Sequence, residues 1–170
     1  MPLEMTVRDV MRPINQFATL QENEALSRAS DLLIAALREH KPPCSLIVDT
    51  DESGFEVIKG FVTPYDIIFG FVRHFLRGAE KIGPIFWEGQ LRTECRKAMQ
   101  GPIGDIMQPI QIFIRHDEML MEAIFLFKKY QVDVLPVVSA EDVIGMMLLN
   151  DVLYAIARIS NKNMQDICFE

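Results

Sequence analysis

The chain has 170 residues, of which 49% are hydrophobic and 24% are charged. This apolar content excludes a disordered chain, which would bury too little surface to offset the entropy of ordering. The formal net charge of −7 at pH 7 argues against a nucleic-acid partner, since binding phosphates along a strand requires a basic face.

The cysteines and the apolar segments indicate in which cellular compartment the protein is expected. Cys44, Cys95 and Cys168 are scattered and form neither a disulfide framework nor a paired metal motif. The apolar stretches are shorter than the ~18 residues that span a bilayer, and the first residues lack the apolar core of a signal peptide. We therefore expect a protein of the reducing cytoplasm, with no membrane partner.

The strongest signal is an internal repeat, which has to be found before single motifs are interpreted. Val7–Pro13 and Ile103–Pro109 share the pattern apolar-x-Asp-apolar-Met-x-Pro. The two copies lie at a constant offset of 96 positions, as from Asp9 to Asp105. We call these segments the opening motifs.

A helix is predicted after each opening motif, because apolar residues recur every three or four positions. Asn23 and Asp117 are the expected N-caps. The apolar positions are Leu26, Ala29, Leu33 and Leu37 in the first repeat and Leu120, Ala123, Ile124 and Phe127 in the second.

Two strands and a further helix complete each repeat. Short β-branched runs at Ser45–Asp49 and Val134–Val138 predict the first strands. The segments Val57–Asp66 and Val143–Asp151 predict a second strand that runs into a helix. Gly60 and Asp66 align with Gly145 and Asp151 at an offset of 85. Each repeat thus reads helix–strand–helix–strand–strand–helix.

The segment between the repeats, Phe71–Gly101, carries seven Lys, Arg or His residues and three carboxylates. Its pattern predicts a helix continuing from Pro64, a Gly-Pro break, and an amphipathic helix near Gln90–Met99. Two interpretations stay open: a solvated connector, or a basic strip that contacts phosphate or a partner.

Together these motifs resemble a tandem pair of CBS domains, also called a Bateman module, of the stand-alone type. The resemblance rests on the two opening motifs, on Leu135–Val138 and on Gly60–Asp66. It divides the chain into repeat 1 (6–71), a helical connector (72–101), repeat 2 (102–158) and a C-terminal tail (159–170). It implies an α/β (α+β) fold in which two pseudo-twofold-related β-α-β-β-α repeats pack into one module.

The resemblance also implies a non-catalytic regulatory or sensor module. Such a module binds an adenosine-containing ligand (AMP, ADP, ATP or S-adenosylmethionine) in a cleft between the repeats, forms a homodimer and controls an effector protein, which the sequence does not identify. We expect no enzyme, cofactor or metal site, because no nucleophile or P-loop motif is present and the three histidines are dispersed. The alternative is a ligand-free dimerisation or scaffold module that acts through protein–protein contacts.

In the family, a Gly-apolar-apolar-Ser/Thr-x-x-Asp sequence places the Asp against the ribose hydroxyls. A carboxylate can accept two such hydrogen bonds, and a Thr hydroxyl can bind a ribose or phosphate oxygen. Repeat 1 matches this pattern with Thr63 and Asp66, whereas repeat 2 keeps Asp151 but has Leu148 in place of the hydroxyl. Thr63-Pro64-x-Asp66 is also a helix start with a capping box, so capping alone can explain both residues.

The family builds each cleft from both repeats, and the resemblance leaves open which cleft is occupied. Asp133 would repel phosphate near Asp66, which disfavours a triphosphate there. The walls implied for the Asp66 cleft include Ile112, Phe113 and Val134. Those implied for the Asp151 cleft include Phe17, Lys41 and Ser45.

Overall fold

The computed structural model describes residues 4–76 and 89–160. The predicted Gly-Pro break and most of the C-terminal tail lie outside these residues. The described helices are α1 (Leu26–Arg38), α2 (Pro64–Leu76), α3 (Gln90–Met99), α4 (Leu120–Tyr130) and α5 (Leu149–Ser160). The described strands are β1 (Arg12–Pro13), β2 (Ala18–Gln21), β3 (Ser45–Thr50), β4 (Glu56–Val62), β5 (Gln108–Pro109), β6 (Ile114–Arg115), β7 (Val134–Ser139) and β8 (Asp142–Leu148).

The strands form two four-stranded sheets, one in each of two compact units. Unit 1 combines Met1–Gln16 with Gln111–Glu170, and unit 2 is Phe17–Ile110. The strand order is β1-β8-β7-β6 in unit 1 and, read in the equivalent direction, β5-β4-β3-β2 in unit 2. Only the last pair of each sheet is parallel. The predicted α/β fold class is confirmed. The two units contain separate sheets with the same strand order.

Each unit contains the body of one repeat and the opening motif of the other. In unit 1, Arg12 of β1 lies opposite Met146 of β8. In unit 2, Gln108 of β5 lies opposite Phe61 of β4. The predicted boundaries at 6–71 and 102–158 delimit the two repeats in the sequence. As domain boundaries of the chain they remain a proposal.

Two glycines allow these exchanged strands to pair. A Cβ atom on Gly145 would lie 2.6 Å from the carbonyl oxygen of Arg12, and one on Gly60 would overlap the carbonyl oxygen of Gln108. A side chain at either place would push the exchanged strand away from its neighbour. The glycine of the repeated motif is therefore explained by close backbone approach.

The opening motifs also supply a core residue to each unit. Val7 is fully buried in the unit 1 core, beside residues such as Leu135 and Met147. Ile103, the equivalent residue 96 positions later, is fully buried in the unit 2 core with Ile47 and Val62. Burial of apolar surface thus fixes both motifs in place.

Helix α1 does not begin as predicted, and Asn23 is not its N-cap. The N-cap is Ala25, and the amide of Leu26 donates to the carbonyl oxygen of Gly101 at 2.9 Å. Gly101 stands just before the second opening motif. This distant carbonyl satisfies the first helical amide, which a side-chain cap at Asn23 would otherwise serve.

The same correction applies to α4, where Asp117 is not the N-cap. The N-cap is Met119, and the amide of Leu120 donates to the carbonyl oxygen of Met5 at 2.9 Å. Asp117 instead accepts a hydrogen bond from Arg115 at 2.9 Å. The predicted helix at Gln90–Met99 is confirmed as α3.

Candidate functional site

Thr63 and Asp66 form the start of α2, directly after β4. One oxygen of Asp66, Oδ2, accepts hydrogen bonds from the Thr63 amide at 2.8 Å and from the Thr63 hydroxyl at 3.0 Å. Both residues are buried, with 5% and 8% of their surface exposed. One half of the predicted capping box is therefore present, the carboxylate that accepts from the amide of Thr63, and it leaves a ligand-binding role open.

Gln108 is a further partner of Asp66, from the exchanged strand β5. Its Nε2 atom donates to Oδ1 of Asp66 at 2.8 Å and to Oδ2 at 3.0 Å. The donors contributed by Thr63 and Gln108 are all neutral. They hold the carboxylate in one orientation and join α2 to β5.

Asp151 holds the equivalent place in unit 1, in the first turn of α5. The Arg12 guanidinium binds it through two contacts, Nε to Oδ2 at 2.6 Å and Nη2 to Oδ1 at 2.9 Å. The side chain of Arg12 is 32% exposed and that of Asp151 is 12% exposed. The hydrogen bond with Asp151 raises the pKa of Arg12 above its ordinary value, against a smaller opposing effect of burial.

Arg12 and Gln108 occupy the same place in the repeat, the x of Met-x-Pro. Each binds the helix-start aspartate of its own unit. Sequence reasoning missed both as functional partners. The signal that could have found them is their shared position, since two residues at one place in a repeat are expected to contact equivalent groups.

Three further predicted site residues lie in unit 2 with Thr63 and Asp66. Phe17 is buried just before β2, and Ser45 is buried at the start of β3, opposite Val62. Lys41 is exposed and pairs with Glu39 at 2.6 Å. An exposed ion pair of this kind contributes little to stability.

The other three lie in unit 1 with Asp151. Ile112 is partly buried and packs against the unit 1 core, whereas Phe113 is half exposed. Val134 is buried in β7, opposite Leu148. The walls that the resemblance implies combine residues of different units, and they stay a prediction.

A cavity of about 250 Å³, lined by both polar and apolar side chains, adjoins the Arg12–Asp151 pair in unit 1. Asp9, Gln16 and Arg158 also line it. Carboxylate, amide and guanidinium groups together can bind a small polar molecule, the carboxylates through its hydroxyls and the arginines through an anionic group.

A second cavity, of about 340 Å³, lies in unit 2 and is mostly apolar, with Phe71, Ala98 and Ile106 among its lining residues. In the described parts of the chain, His, Cys, Asp and Glu do not gather in groups of three or more that could hold a metal ion. The described helices are all too short or too polar to cross a membrane.

Comparison with known proteins gives a family match for one of the two repeats. The CBS domain family matches residues 103–158, which cover the second repeat. No curated protein matches the chain in sequence.

Among the solved structures that share the fold of the chain are the following three. CBSX2 from Arabidopsis thaliana is a CBS-pair protein with 20% identity and a TM-score of 0.64, covering 92% of this chain and 97% of that chain; it is also known in complex with AMP. AcuB from Vibrio cholerae, assigned to acetoin utilization, has 16% identity and a TM-score of 0.67, with coverage of 96% and 99%. The CBS domain pair of MJ0100, in complex with 5′-methylthioadenosine and S-adenosyl-L-methionine, has 18% identity and a TM-score of 0.61, with coverage of 92% and 98%.

At these identities the likeness concerns the fold, and it agrees with the two equivalent sheets and the repeated glycine and aspartate. Residues 103–158 match the CBS domain family, and the chain has the fold of a tandem CBS pair.

Proposed function

We propose that the chain is a non-catalytic regulatory module that binds an adenosine-containing ligand, with AMP as the leading candidate. One observation carries the proposal: both units place an aspartate, Asp66 or Asp151, in the first turn of the helix that follows the glycine-containing strand. A carboxylate there can accept hydrogen bonds from both ribose hydroxyls. The AMP bound to CBSX2, and the 5′-methylthioadenosine and S-adenosyl-L-methionine bound to the MJ0100 pair, support this ligand class.

The Asp66 site is the better candidate of the two. Thr63 adds a hydroxyl next to the carboxylate, and Gln108 is a neutral donor that ligand hydroxyls can replace. If two ribose hydroxyls replace the two hydrogen bonds from the Gln108 side chain, the number of hydrogen bonds to Asp66 stays unchanged. Asp151, in contrast, is held by a guanidinium.

Binding is the whole activity of the module in this proposal. A ligand shifts the population of conformations only by its difference in affinity between them, and an effector protein detects the shift. We place the module in the cytoplasm, because the three scattered cysteines of the sequence form no disulfide framework, a pattern typical of a reducing compartment.

Calorimetric titration of AMP, ADP, ATP and S-adenosylmethionine tests the proposal. We expect saturable binding by the unmodified chain and a loss of about tenfold to hundredfold in affinity for Asp66→Asn, which removes charge-assisted hydrogen bonds to the ligand while keeping the size of the side chain. The matched Asp151→Asn variant is expected to change the affinity much less.

Absence of saturable binding at millimolar ligand would contradict the proposal. A loss confined to Asp151→Asn would move the site to unit 1. Circular dichroism of each variant checks that it is folded before its affinity is compared.

A homodimerisation or scaffold role is a second candidate, favoured by apolar side chains exposed on two helices of each unit. Exposed apolar patches of this kind mark interaction surfaces. A second copy of the chain is the proposed occupant, because both units present apolar residues on equivalent helices. These residues are Ile34, Leu37, Tyr65, Ile68 and Phe69 on α1 and α2, and Met121, Phe125, Leu153, Ile156 and Ile159 on α4 and α5.

Light scattering coupled to gel filtration tests this role. The 19.5 kDa chain is expected to elute with the mass of a dimer at micromolar concentration without any ligand. Ile68→Glu and Leu153→Glu should shift it toward the monomer, because each places a charge in the apolar surface. Leu91→Glu, at an exposed position of α3, is the control and should leave the dimer intact. A monomeric unmodified chain, or dimers that persist in both variants, would contradict this role.

A further inference from the structure

The structure assigns to Arg12 a role in specificity: it makes the Asp151 site selective for ligands that carry an anionic group. The inference rests on the proposed function, because it concerns what the equivalent site in unit 1 accepts. The ligand class it names for that site is a nucleoside monophosphate, in preference to the neutral nucleoside.

Arg12 already binds both carboxylate oxygens of Asp151, which are the acceptors that ribose hydroxyls would use. Its Nε and Nη2 atoms bind different oxygens of Asp151, at 2.6 Å and 2.9 Å. This two-contact geometry engages both sides of the carboxylate. Ligand hydroxyls therefore have to share both oxygens with Arg12 or displace it from one of them.

Displacing Arg12 costs free energy, and this cost depends on whether the ligand carries an anionic group that the guanidinium can bind. The Asp151 side chain is only 12% exposed and that of Arg12 is 32% exposed, so water replaces the lost contacts incompletely. A neutral nucleoside gives hydroxyls to Asp151 but no anion to Arg12. A phosphate group restores a charge-assisted, two-contact partner for the guanidinium.

The cavity beside the pair has room for such a group. It measures about 250 Å³, and Arg158 and Gln16 line it as further donors. Asp151, Ala155 and Arg158 follow one face of α5, and the small Ala155 leaves space between the two charged residues. Asp9 lines the same cavity and repels additional negative charge, which favours one phosphate over a polyphosphate chain.

The repeat supplies a matched substitution for the test. Gln108 stands in unit 2 where Arg12 stands in unit 1, and it binds the equivalent aspartate through its amide. Arg12→Gln therefore gives unit 1 the side chain that unit 2 already tolerates. Arg12→Lys keeps the charge but loses the two-contact geometry, and serves as a second variant.

The experiment is a nuclear magnetic resonance titration of the full ¹⁵N-labelled chain with AMP and, separately, with adenosine. The amides of Asp151 and Val152 report on unit 1, the amide of Ile67 reports on unit 2, and the Arg12 Nε–H signal reports on the ion pair. In the unmodified chain, the unit 1 signals are expected to respond to AMP at least about tenfold more tightly than to adenosine, which corresponds to ~1.4 kcal/mol.

In Arg12→Gln, adenosine should bind unit 1 and the AMP-to-adenosine ratio should fall about tenfold, toward equality. Arg12→Lys should retain a preference for AMP with a weaker affinity. An AMP-to-adenosine ratio that is the same in the unmodified chain and in Arg12→Gln would overturn the inference, as would a response confined to unit 2 in both proteins. In either of those cases the proposed function still stands, since ligand binding is observed. If neither ligand moves any signal in any variant, both the inference and the proposed function fail.

Discussion

Replacing Ile103 by Ala is expected to lower the free energy of unfolding by about 3 kcal/mol. Ile103 is fully buried in the unit 2 core, with Leu26, Ile47 and Val62 in the same cluster. Truncation loses the burial of its side chain and leaves a cavity where the second opening motif is anchored. Urea unfolding followed by circular dichroism measures the change, and hydrogen exchange of the β3 and β4 amides shows whether unit 2 is affected.

Two variants calibrate this result. Ile103→Val removes a single methylene and should cost about 1 kcal/mol. Leu91→Ala truncates an exposed apolar residue of α3 and should stay within about 0.5 kcal/mol of the unmodified chain. If Ile103→Ala unfolds at the same urea concentration as Leu91→Ala, the opening motif does not anchor unit 2 in the way described.

Replacing Asp66 by Ala is expected to cost about 2 to 3 kcal/mol of stability, in the absence of any ligand. The substitution removes the acceptor of four hydrogen bonds from Thr63 and Gln108. The Thr63 donors are then left in a buried place with reduced access to water, and the tie between α2 and β5 is lost. Chemical denaturation of the ligand-free chain measures this cost separately from any change in binding.

Asp9→Ala is the matched control for Asp66→Ala. Asp9 accepts hydrogen bonds from the amide and the hydroxyl of Thr6 at 2.8 Å and 3.0 Å, the same distances that Thr63 makes to Asp66. Asp9 is exposed, so water can replace the lost contacts, and the expected cost is about 0.5 to 1 kcal/mol. If both substitutions lowered the free energy of unfolding equally, burial and the Gln108 contacts would add nothing to the stabilisation by Asp66.

Local patterns in the sequence predict the elements of this chain well. Ser45–Thr50 and Val134–Ser139 are strands close to the predicted runs, and α3 has the predicted bounds Gln90–Met99. Each of these elements is specified by the spacing of apolar residues within it and by the turn residues around it. Such information is contained in neighbouring residues, so one sequence is enough to interpret it.

The long-range partners could not be predicted in the same way. Asn23 is a good cap by residue type, yet the carbonyl oxygen of Gly101 satisfies the helix amide that the cap would serve. Arg12 binds Asp151 from 139 positions away, and no local pattern specifies which acidic residue a guanidinium will meet. Repeat symmetry is the one feature of the sequence that constrains such pairs, because two equivalent residues are expected to find equivalent partners.

The exchange of opening motifs has a consequence for the synthesis of the protein on the ribosome. Unit 2 is a continuous stretch, Phe17–Ile110, in which Gln108 reaches Asp66 over 42 positions. Unit 1 needs its first residues to find partners up to 139 positions later. Unit 2 is therefore expected to fold while the chain is still growing, whereas Arg12 waits until its partner, 139 positions later, has been synthesised. Because closing a longer loop is slower, the joining of β1 to β8 is expected to follow the folding of unit 2.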